Sequence, residues 1–354
     1  SLQTVTKSGD NVVIESPAFY GALQAVERLG LNPIEVDVCP INGLNIEQFE
    51  SVLQNQDVKA CWLMTTFQNP TGTSLSEEAK RRVVEIAEQH ETYIIEDDVY
   101  GDLYFEGYKP KPLKAFDKTD SVLLCGSYSK SLCPGYRVGW VVNTRFNDAI
   151  QKLQLLSTLS SSAPVQLGVA HFLTHESYDN HLRKLRKNLL LRKESFINVI
   201  RQYFPHSIQI EEPTGGYFVW IRFVEIFDSQ QFHQLAIEQG ISVLDEKLQL
   251  LAWNERYIEM FNYPRSFLKT GMSIESILAY NAERGLFGNA TLTNDEINKR
   301  IVYMKEGSRY KYVRKQPDGK VIELNGSPLP GGGYVTTYSD ITEYIAIQEA
   351  LERA

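Results

Sequence analysis

The chain has 354 residues, a hydrophobic fraction of 43%, a formal net charge of −8 and a pI near 5.4. This length indicates two or more domains of ordinary globular composition. The acidic balance argues against general nucleic-acid binding. Because neither a signal peptide nor an apolar run long enough to span a bilayer is recognisable, we predict no membrane contact. The four cysteines are scattered without a C-x-x-C pair, which favours free thiols in a reducing cytoplasm.

Short apolar runs rich in β-branched residues alternate with amphipathic patterns over the first two-thirds of the chain. Strands are predicted over 11–15, 33–38, 60–66, 93–97, 121–125 and 138–143. Helices are predicted over 21–29, 45–53 and 76–90, and helical patterning then dominates 147–203 before a further strand over 215–221. This alternation is typical of an α/β fold with a mostly parallel sheet.

The pattern changes after residue 240. A hairpin is predicted over 241–253, followed by helices over 255–261, 273–284 and 294–305. Alternating strands then cover 309–337, with turn signals at 317–319 and 330–333, and an amphipathic helix covers 340–354. That last helix repeats apolar residues at three-to-four spacing, which suggests a dimer seam: Ile341, Tyr344, Ile347 and Leu351. These elements predict a separate α+β domain with an antiparallel sheet.

One lysine stands among small hydroxyl residues just after the predicted strand 121–125. Lys130 follows Ser127 and Ser129, and Arg137 comes later in the same run. A lysine amine can form a Schiff base with a pyridoxal aldehyde. Hydroxyl groups and a guanidinium can bind its phosphate through charge-assisted hydrogen bonds. The run therefore indicates a site for a phosphorylated pyridoxal, with Ser127, Ser129 and Arg137 on the phosphate.

Further residues after predicted strands extend this hypothesis. Asp97 ends a strand, where α/β proteins place their site residues, and a carboxylate there can keep a pyridine nitrogen protonated. Tyr100 lies three positions on, and Asn69 lies in the loop after the preceding strand; both can reach the ring oxygen. Phe19, which follows Ser16-Pro17-Ala18, can stack on the ring. No metal site is predicted.

In order and spacing, three motifs make residues 1–240 resemble the fold-type I aminotransferases of class I/II, including the aminotransferase-like part of MocR-type regulators. The motifs are Asn69-Pro70-Thr71-Gly72, Asp97-Asp98-Val99-Tyr100, and Ser127-Tyr128-Ser129-Lys130 through Pro134-Gly135-Tyr136-Arg137-Val138-Gly139-Trp140. The resemblance implies the sheet of the large domain of pyridoxal-phosphate transferases. It also implies pyridoxal 5′-phosphate as cofactor, an amino acid or keto acid as substrate, and a homodimer.

The same resemblance implies a role for each site residue. Lys130 carries the cofactor, and Asp97 rather than Asp98 pairs with the pyridine nitrogen. Asn69 and Tyr100 contact the ring oxygen. The remaining implied contacts are with the phosphate and the ring face: Ser127, Arg137 and Phe19. Lys130, Asp97 and Tyr100 are the predicted catalytic residues.

The resemblance is incomplete at both ends. Family members carry an earlier segment that cups the phosphate at a helix N-terminus. They also carry a later arginine for the substrate carboxylate, and MocR-type regulators have an N-terminal winged helix-turn-helix. Here the resemblance begins at Ser1 and stops near Val243. We therefore expect a cofactor site that contains the residues named above. It should lack the helix N-terminus that binds the phosphate and the arginine that binds the substrate carboxylate.

Residues from about Gly240 onward resemble a PAS domain, which implies a sensory or dimerisation module. The supporting runs are Ala252-Trp253-Asn254-Glu255-Arg256-Tyr257, Tyr263-Pro264, Asp318-Gly319-Lys320, Pro328-Leu329-Pro330-Gly331-Gly332-Gly333 and Tyr338-Ser339-Asp340-Ile341-Thr342-Glu343. We predict an incomplete aminotransferase-like, pyridoxal-phosphate-binding domain over 1–240 and a PAS-like domain over 241–354. The two resemblances meet inside 238–245, which favours an artefactual or engineered chimera over a natural fusion.

Two functions follow from these resemblances. The first is a pyridoxal-phosphate-dependent, aminotransferase-like protein that acts on amino acids through a Schiff base on Lys130. The alternative is a regulatory or sensory protein without turnover, either a MocR-like transcriptional regulator fragment or a PAS signalling protein.

Overall fold

The computed structural model describes residues 1–204, 207–224, 228–286, 301–329 and 332–353. The chain divides into two compact units, Ser1–Val224 and Glu225–Ala354. The domain boundary predicted at residue 240 lies inside the second unit and stays a prediction.

A seven-stranded sheet forms the centre of the first unit. Its strands are β1 (Asn11–Ser16), β2 (Asn32–Cys39), β3 (Gly43–Leu44), β4 (Val58–Leu63), β5 (Tyr93–Asp97), β6 (Val122–Ser127) and β7 (Gly139–Val142). The order across the sheet is β3-β2-β1-β4-β5-β6-β7. The five strands from β2 to β6 in this order are parallel, and β3 and β7 are antiparallel edges. The mostly parallel sheet predicted from the sequence is therefore confirmed.

The helices of this unit are α1 (Leu2–Val5), α2 (Tyr20–Arg28), α3 (Ile46–Asn55), α4 (Glu77–Gln89), α5 (Asn147–Thr158), α6 (Ala163–His175) and α7 (Tyr178–Tyr203). Of these, α3 and α4 pack in one core against the sheet, and α1, α2 and α5 pack in the core on the other face. Neighbouring residues of one strand enter opposite cores, as Val12 and Val13 do, because side chains alternate along a strand. The start of α4 follows from its cap, since the Ser76 hydroxyl accepts a hydrogen bond from the Ala79 amide at 3.1 Å.

The strand predicted over 215–221 is shorter in the structure. Only β9 (Trp220–Phe223) is extended, and it pairs with β8 (Ile208–Glu211). Gly215 instead forms an isolated bridge with Tyr104, and a Cβ on Gly215 would lie 2.3 Å from the ring of Phe67. Close packing of this glycine against an aromatic ring therefore holds the segment as a loop.

The second unit contains an antiparallel sheet. Its strands are β10 (Gly240–Leu244), β11 (Leu250–Trp253), β12 (Tyr310–Lys315), β13 (Val321–Pro328) and β14 (Tyr334–Asp340), in the order β11-β10-β14-β13-β12. The accompanying helices are α8 (Ser229–Glu238), α9 (Glu255–Met260), α10 (Ile274–Glu283) and α11 (Thr342–Arg353). The hairpin predicted over 241–253 is present, with Ser242 opposite Trp253. Of the helix predicted over 294–305, residues 294–300 lie outside the described residues, and 301–305 are helical.

Aromatic packing closes the core of the second unit. Tyr334 is fully buried, and its ring stacks on Tyr310 with centroids 5.7 Å apart. A Cβ on Gly326 would lie 2.3 Å from the Tyr310 ring, so glycine leaves the space that this stack occupies. The predicted α+β domain with an antiparallel sheet is confirmed.

Candidate functional site

The predicted site residues follow the carboxyl ends of parallel strands. Phe19 comes after β1, Asn69 after β4, Asp97 ends β5, and Lys130 comes after β6. Since the carboxyl ends of parallel strands meet at one edge, these side chains belong to the same edge of the sheet. The strand order reverses between β1 and β4, and open α/β sheets bind ligands at such a reversal.

Asp97 is a largely buried carboxylate beside Lys130. Burial raises its pKa to about 6, against the opposing effects of a hydrogen bond from Trp62 and the positive charge of Lys130. The Trp62 Nε1 atom donates to Asp97 Oδ2 at 3.4 Å. Asp98 faces other cations: burial also raises its pKa to about 6, and Lys109 and Lys80 are the charges that oppose the rise. Of the two adjacent carboxylates, Asp97 is therefore the one that Lys130 influences.

Tyr100 connects Asn69 to Lys130. The Tyr100 hydroxyl is hydrogen-bonded to the Asn69 side chain, and burial raises the pKa of this phenol to about 12. The Lys130 Nζ atom lies 5.7 Å from the centre of the Tyr100 ring. The Tyr217 hydroxyl donates a hydrogen bond to the Lys130 carbonyl oxygen at 2.7 Å. The lysine backbone is thus tied to a residue far away in the sequence.

Ser127, Ser129 and Arg137 form a cluster of hydrogen-bond donors next to Lys130. The Ser127 hydroxyl donates to the Ser129 hydroxyl at 2.9 Å, and Arg137 Nη1 donates to the same Ser129 oxygen at 3.3 Å. Arg137 has a left-handed backbone with φ of 52°, which is unusual for a residue with a side chain. Two hydroxyls and a guanidinium in contact have the donor chemistry needed to bind an anion.

Phe19 lies just before α2, with its ring folded back over Gly21. A Cβ on Gly21 would lie 2.5 Å from the Phe19 ring, so glycine is needed for this ring position. The ring also contacts Tyr20, with centroids 4.8 Å apart. The loop that carries Phe19 is bonded to the loop after β4, because Gln68 Nε2 donates to the Pro17 carbonyl oxygen at 2.8 Å.

The structure thus brings the predicted residues other than Phe19 into two connected groups at one end of the sheet. Asp97, Tyr100, Asn69 and Lys130 form one group, and the serine–arginine cluster adjoins Lys130 through the chain. Their individual roles stay predictions. Sequence reasoning missed Trp62, Tyr217 and Gln68, which support these residues. Only Tyr217 carried a sequence signal, since it directly follows the close approach indicated by Gly215-Gly216.

Comparison with known proteins agrees with this geometry. Residues 1–253 match the family described as aminotransferase class I and II. The chain belongs to that family. Residues 235–349 match the PAS fold, so the two matches overlap around β10. Both resemblances inferred from the motifs are confirmed.

Relatives of the first unit include both regulators and enzymes. The uncharacterized HTH-type transcriptional regulator YdcR of Escherichia coli is 44% identical over 248 residues, which cover 70% of this chain and 53% of YdcR. Aromatic-amino-acid aminotransferase 1 of Thermococcus litoralis is 29% identical, over 66% of this chain and 57% of that enzyme. Kynurenine aminotransferase of Pyrococcus horikoshii, solved with PMP, has a TM-score of 0.63 and 27% identity, over 66% of this chain and 59% of that one.

The chain therefore spans little more than half the length of these relatives. Among the residues that the structure describes, none of the helices has both the length and the apolar character needed to cross a membrane.

Proposed function

We propose that the first unit binds pyridoxal 5′-phosphate on Lys130 and acts as an aminotransferase on an amino acid and a keto acid. The observation that carries this proposal is that Asp97 ends β5 and Lys130 follows β6, the neighbouring parallel strand, so that both residues lie at the same end of the sheet. The positive charge of Lys130 also opposes the rise in the pKa of this carboxylate. A lysine and a strand-end carboxylate in this arrangement, within a chain of the aminotransferase class I and II family, match the two ends of a pyridoxal ring.

The donor set fits the phosphorylated pyridoxal. An amine is present for the aldehyde, a buried carboxylate for the ring nitrogen, and a hydrogen-bonded Tyr100–Asn69 pair for the ring oxygen. The cluster of Ser127, Ser129 and Arg137 offers hydroxyl and guanidinium donors to a phosphate. Each part of the cofactor thus has a chemically matched side chain.

When bound, the cofactor supplies an aldehyde and a ring that accepts electrons. Asp97 would hold a proton on the ring nitrogen, and the positive charge so created would favour the ionised carboxylate and lower its raised pKa. As a general base, the Lys130 amine would take a proton from the substrate Cα, and as a general acid it would donate that proton to the carbon that the cofactor aldehyde supplies. Tyr100 and Asn69 would orient the ring through its oxygen.

A regulatory function is the second candidate, and two findings favour it. YdcR, at 44% identity, is named as a transcriptional regulator, and residues 235–349 have a PAS fold. In this alternative, the first unit binds the cofactor and an amino compound without completing turnover.

We also propose a homodimer in the cytoplasm. The homodimer rests on the aminotransferase family, whose members typically pair. The four cysteines are free thiols, which suits a reducing compartment. Sedimentation of the purified chain would test the dimer.

Cofactor binding can be tested by colour and covalent capture. Pyridoxal 5′-phosphate added to the purified chain should give the visible absorbance of a Schiff base, and borohydride should fix the cofactor on the Lys130 peptide. Lys130→Ala should abolish both signals, whereas Lys59→Ala, a change near the start of β4, should leave them unchanged. Absence of colour, or capture only on other lysines, would contradict cofactor binding at this site.

A panel of amino acids then separates the two functions. If the chain is an aminotransferase, one or more amino acids should convert the visible band to that of the amine form of the cofactor. Colour that no amino acid converts to the amine form would reject turnover and support the regulatory alternative.

A further inference from the structure

Gln68 is a buried side chain with four hydrogen bonds. Only 1% of its surface is exposed, and it directly precedes Asn69. Its Nε2 atom donates to the Pro17 carbonyl oxygen at 2.8 Å and to Glu15 Oε2 at 3.3 Å. Its Oε1 atom accepts from the Thr71 amide at 2.9 Å and from the Thr71 hydroxyl at 2.7 Å. Both amide atoms of this side chain are thus fully used.

The partners fix the orientation of the Gln68 amide. The Pro17 carbonyl can only accept, and the Thr71 backbone N–H can only donate, so exchanging Oε1 and Nε2 would lose both contacts. The side chain therefore has one orientation that satisfies every partner.

The two ends of this amide join the loops that carry two predicted cofactor contacts. Pro17 lies two positions before Phe19, and Thr71 lies two positions after Asn69. Glu15 strengthens the connection, because its carboxyl also accepts from the Met64 amide at 3.2 Å, at the end of β4. Burial raises the pKa of Glu15 to about 8, so at neutral pH this carboxyl is mostly uncharged and does not repel Asp97.

We propose that Gln68 is a positioning residue, which fixes the Phe19 loop against the Asn69 loop. In this position, the Phe19 and Asn69 side chains can contact the same pyridine ring. This inference rests on the proposed function, since it assigns Phe19 to the ring face and Asn69 to the ring oxygen. Gln68 itself does not touch the cofactor in this proposal; it acts through the two loops that it joins.

Gln68→Leu is the main test, because leucine has a similar volume and removes all four hydrogen bonds. We expect pyridoxal 5′-phosphate to bind about tenfold more weakly, which corresponds to about 1.4 kcal/mol. The pKa of the Lys130–pyridoxal Schiff base should also rise, since a displaced Asn69 no longer stabilises the negative ring oxygen. Thr71→Val, which removes one of the four bonds, should shift both quantities in the same direction by less.

Thr92→Val is the matched control. The Thr92 hydroxyl is as buried as Gln68 and donates to the Val58 carbonyl oxygen at 3.0 Å. This contact lies at the amino ends of β4 and β5, away from the candidate site. It should lower stability while leaving cofactor affinity and the Schiff-base pKa at their wild-type values. If Gln68→Leu and Thr71→Val change these two quantities no more than Thr92→Val does, Gln68 is a structural residue only and the inference is wrong.

A cofactor-free measurement keeps this inference separate from the proposed function. Hydrogen exchange of the peptide over 69–72 should be faster in Gln68→Leu than in the wild type or Thr92→Val, because the Thr71 amide loses its acceptor. If the wild-type chain forms no Schiff base, the proposed function is wrong. Hydrogen exchange then tests by itself whether Gln68 connects the two loops. Unchanged exchange in Gln68→Leu would contradict the proposed connection between the two loops, whether or not the cofactor binds.

Discussion

Replacing Asp97 by asparagine should stabilise the cofactor-free chain at neutral pH, although the same change removes the proposed partner of the ring nitrogen. Burial raises the pKa of Asp97 to about 6, and neither the Trp62 hydrogen bond nor the Lys130 charge compensates for it. The ionised carboxylate is therefore unfavourable in the folded chain without cofactor. An amide of the same shape has no charge to bury and can still accept the hydrogen bond from Trp62.

The size of this effect follows from the two pKa values of Asp97. An acid whose pKa is higher in the folded chain destabilises the fold at pH values above its folded pKa, and the effect disappears below its unfolded pKa. A shift from 3.8 to about 6 corresponds to about 3 kcal/mol at pH 7.5 and about 1.6 kcal/mol at pH 5. The stability gained by Asp97→Asn should therefore fall by about half between these two pH values.

Urea unfolding of both chains at constant ionic strength would measure this difference. Asp57→Asn serves as the control, because it removes the same charge from a side chain that is 80% exposed, and it should change stability little at either pH. The reasoning is refuted if Asp97→Asn is less stable than the wild type at pH 7.5, or if its advantage is as large at pH 5. Adding pyridoxal 5′-phosphate should reverse the order, since only the wild type retains the carboxylate.

Two further predictions concern packing. Gly215→Ala places a Cβ 2.3 Å from the Phe67 ring and should lower the free energy of unfolding by about 1–3 kcal/mol. Gly168→Ala, in open space within α6, should raise the free energy of unfolding by about 0.5–1 kcal/mol. A denaturant titration in which Gly215→Ala is the more stable variant would contradict this packing. Tyr334→Ala removes a fully buried ring and should lower the free energy of unfolding by about 3–5 kcal/mol. Tyr303→Ala removes a ring that is 55% exposed and should change it by no more than about 0.5 kcal/mol. Equal melting temperatures of the two variants would contradict the assigned core.

Much of the first unit was predictable because local signals agree with the tertiary structure. The strand predicted over 93–97 coincides with β5, and the helix predicted over 76–90 corresponds to α4 (Glu77–Gln89). The strand predicted over 215–221 was wrong in extent, because Gly215 packs on Phe67, a residue distant in sequence. Apolar alternation alone cannot show that a neighbouring ring occupies the space which a strand would need.

Part of the candidate site could also be predicted from the sequence, and part could not. Asp97, Asn69 and Lys130 could be predicted because each follows a strand, and parallel strands bring their ends together. Gln68 could not, because its partners Pro17 and Glu15 lie about 50 positions earlier and nothing in the local sequence connects them. The Tyr217 hydrogen bond to Lys130 likewise joins residues 87 positions apart. Long-range hydrogen bonds of single side chains leave no periodic pattern to read.

The position of β10 also constrains the order in which the second unit can fold. This strand pairs with β11 on one side and with β14 on the other, so that Gly240 meets Tyr338, about 100 positions later. On a ribosome, the β10–β11 hairpin leaves the exit tunnel well before its second neighbour exists. The edge of β10 that later pairs with β14 therefore stays unpaired until β14 has been synthesised. An unpaired strand edge can pair with a wrong strand during this interval. We expect this unit to fold late and to depend on synthesis speed more than the first.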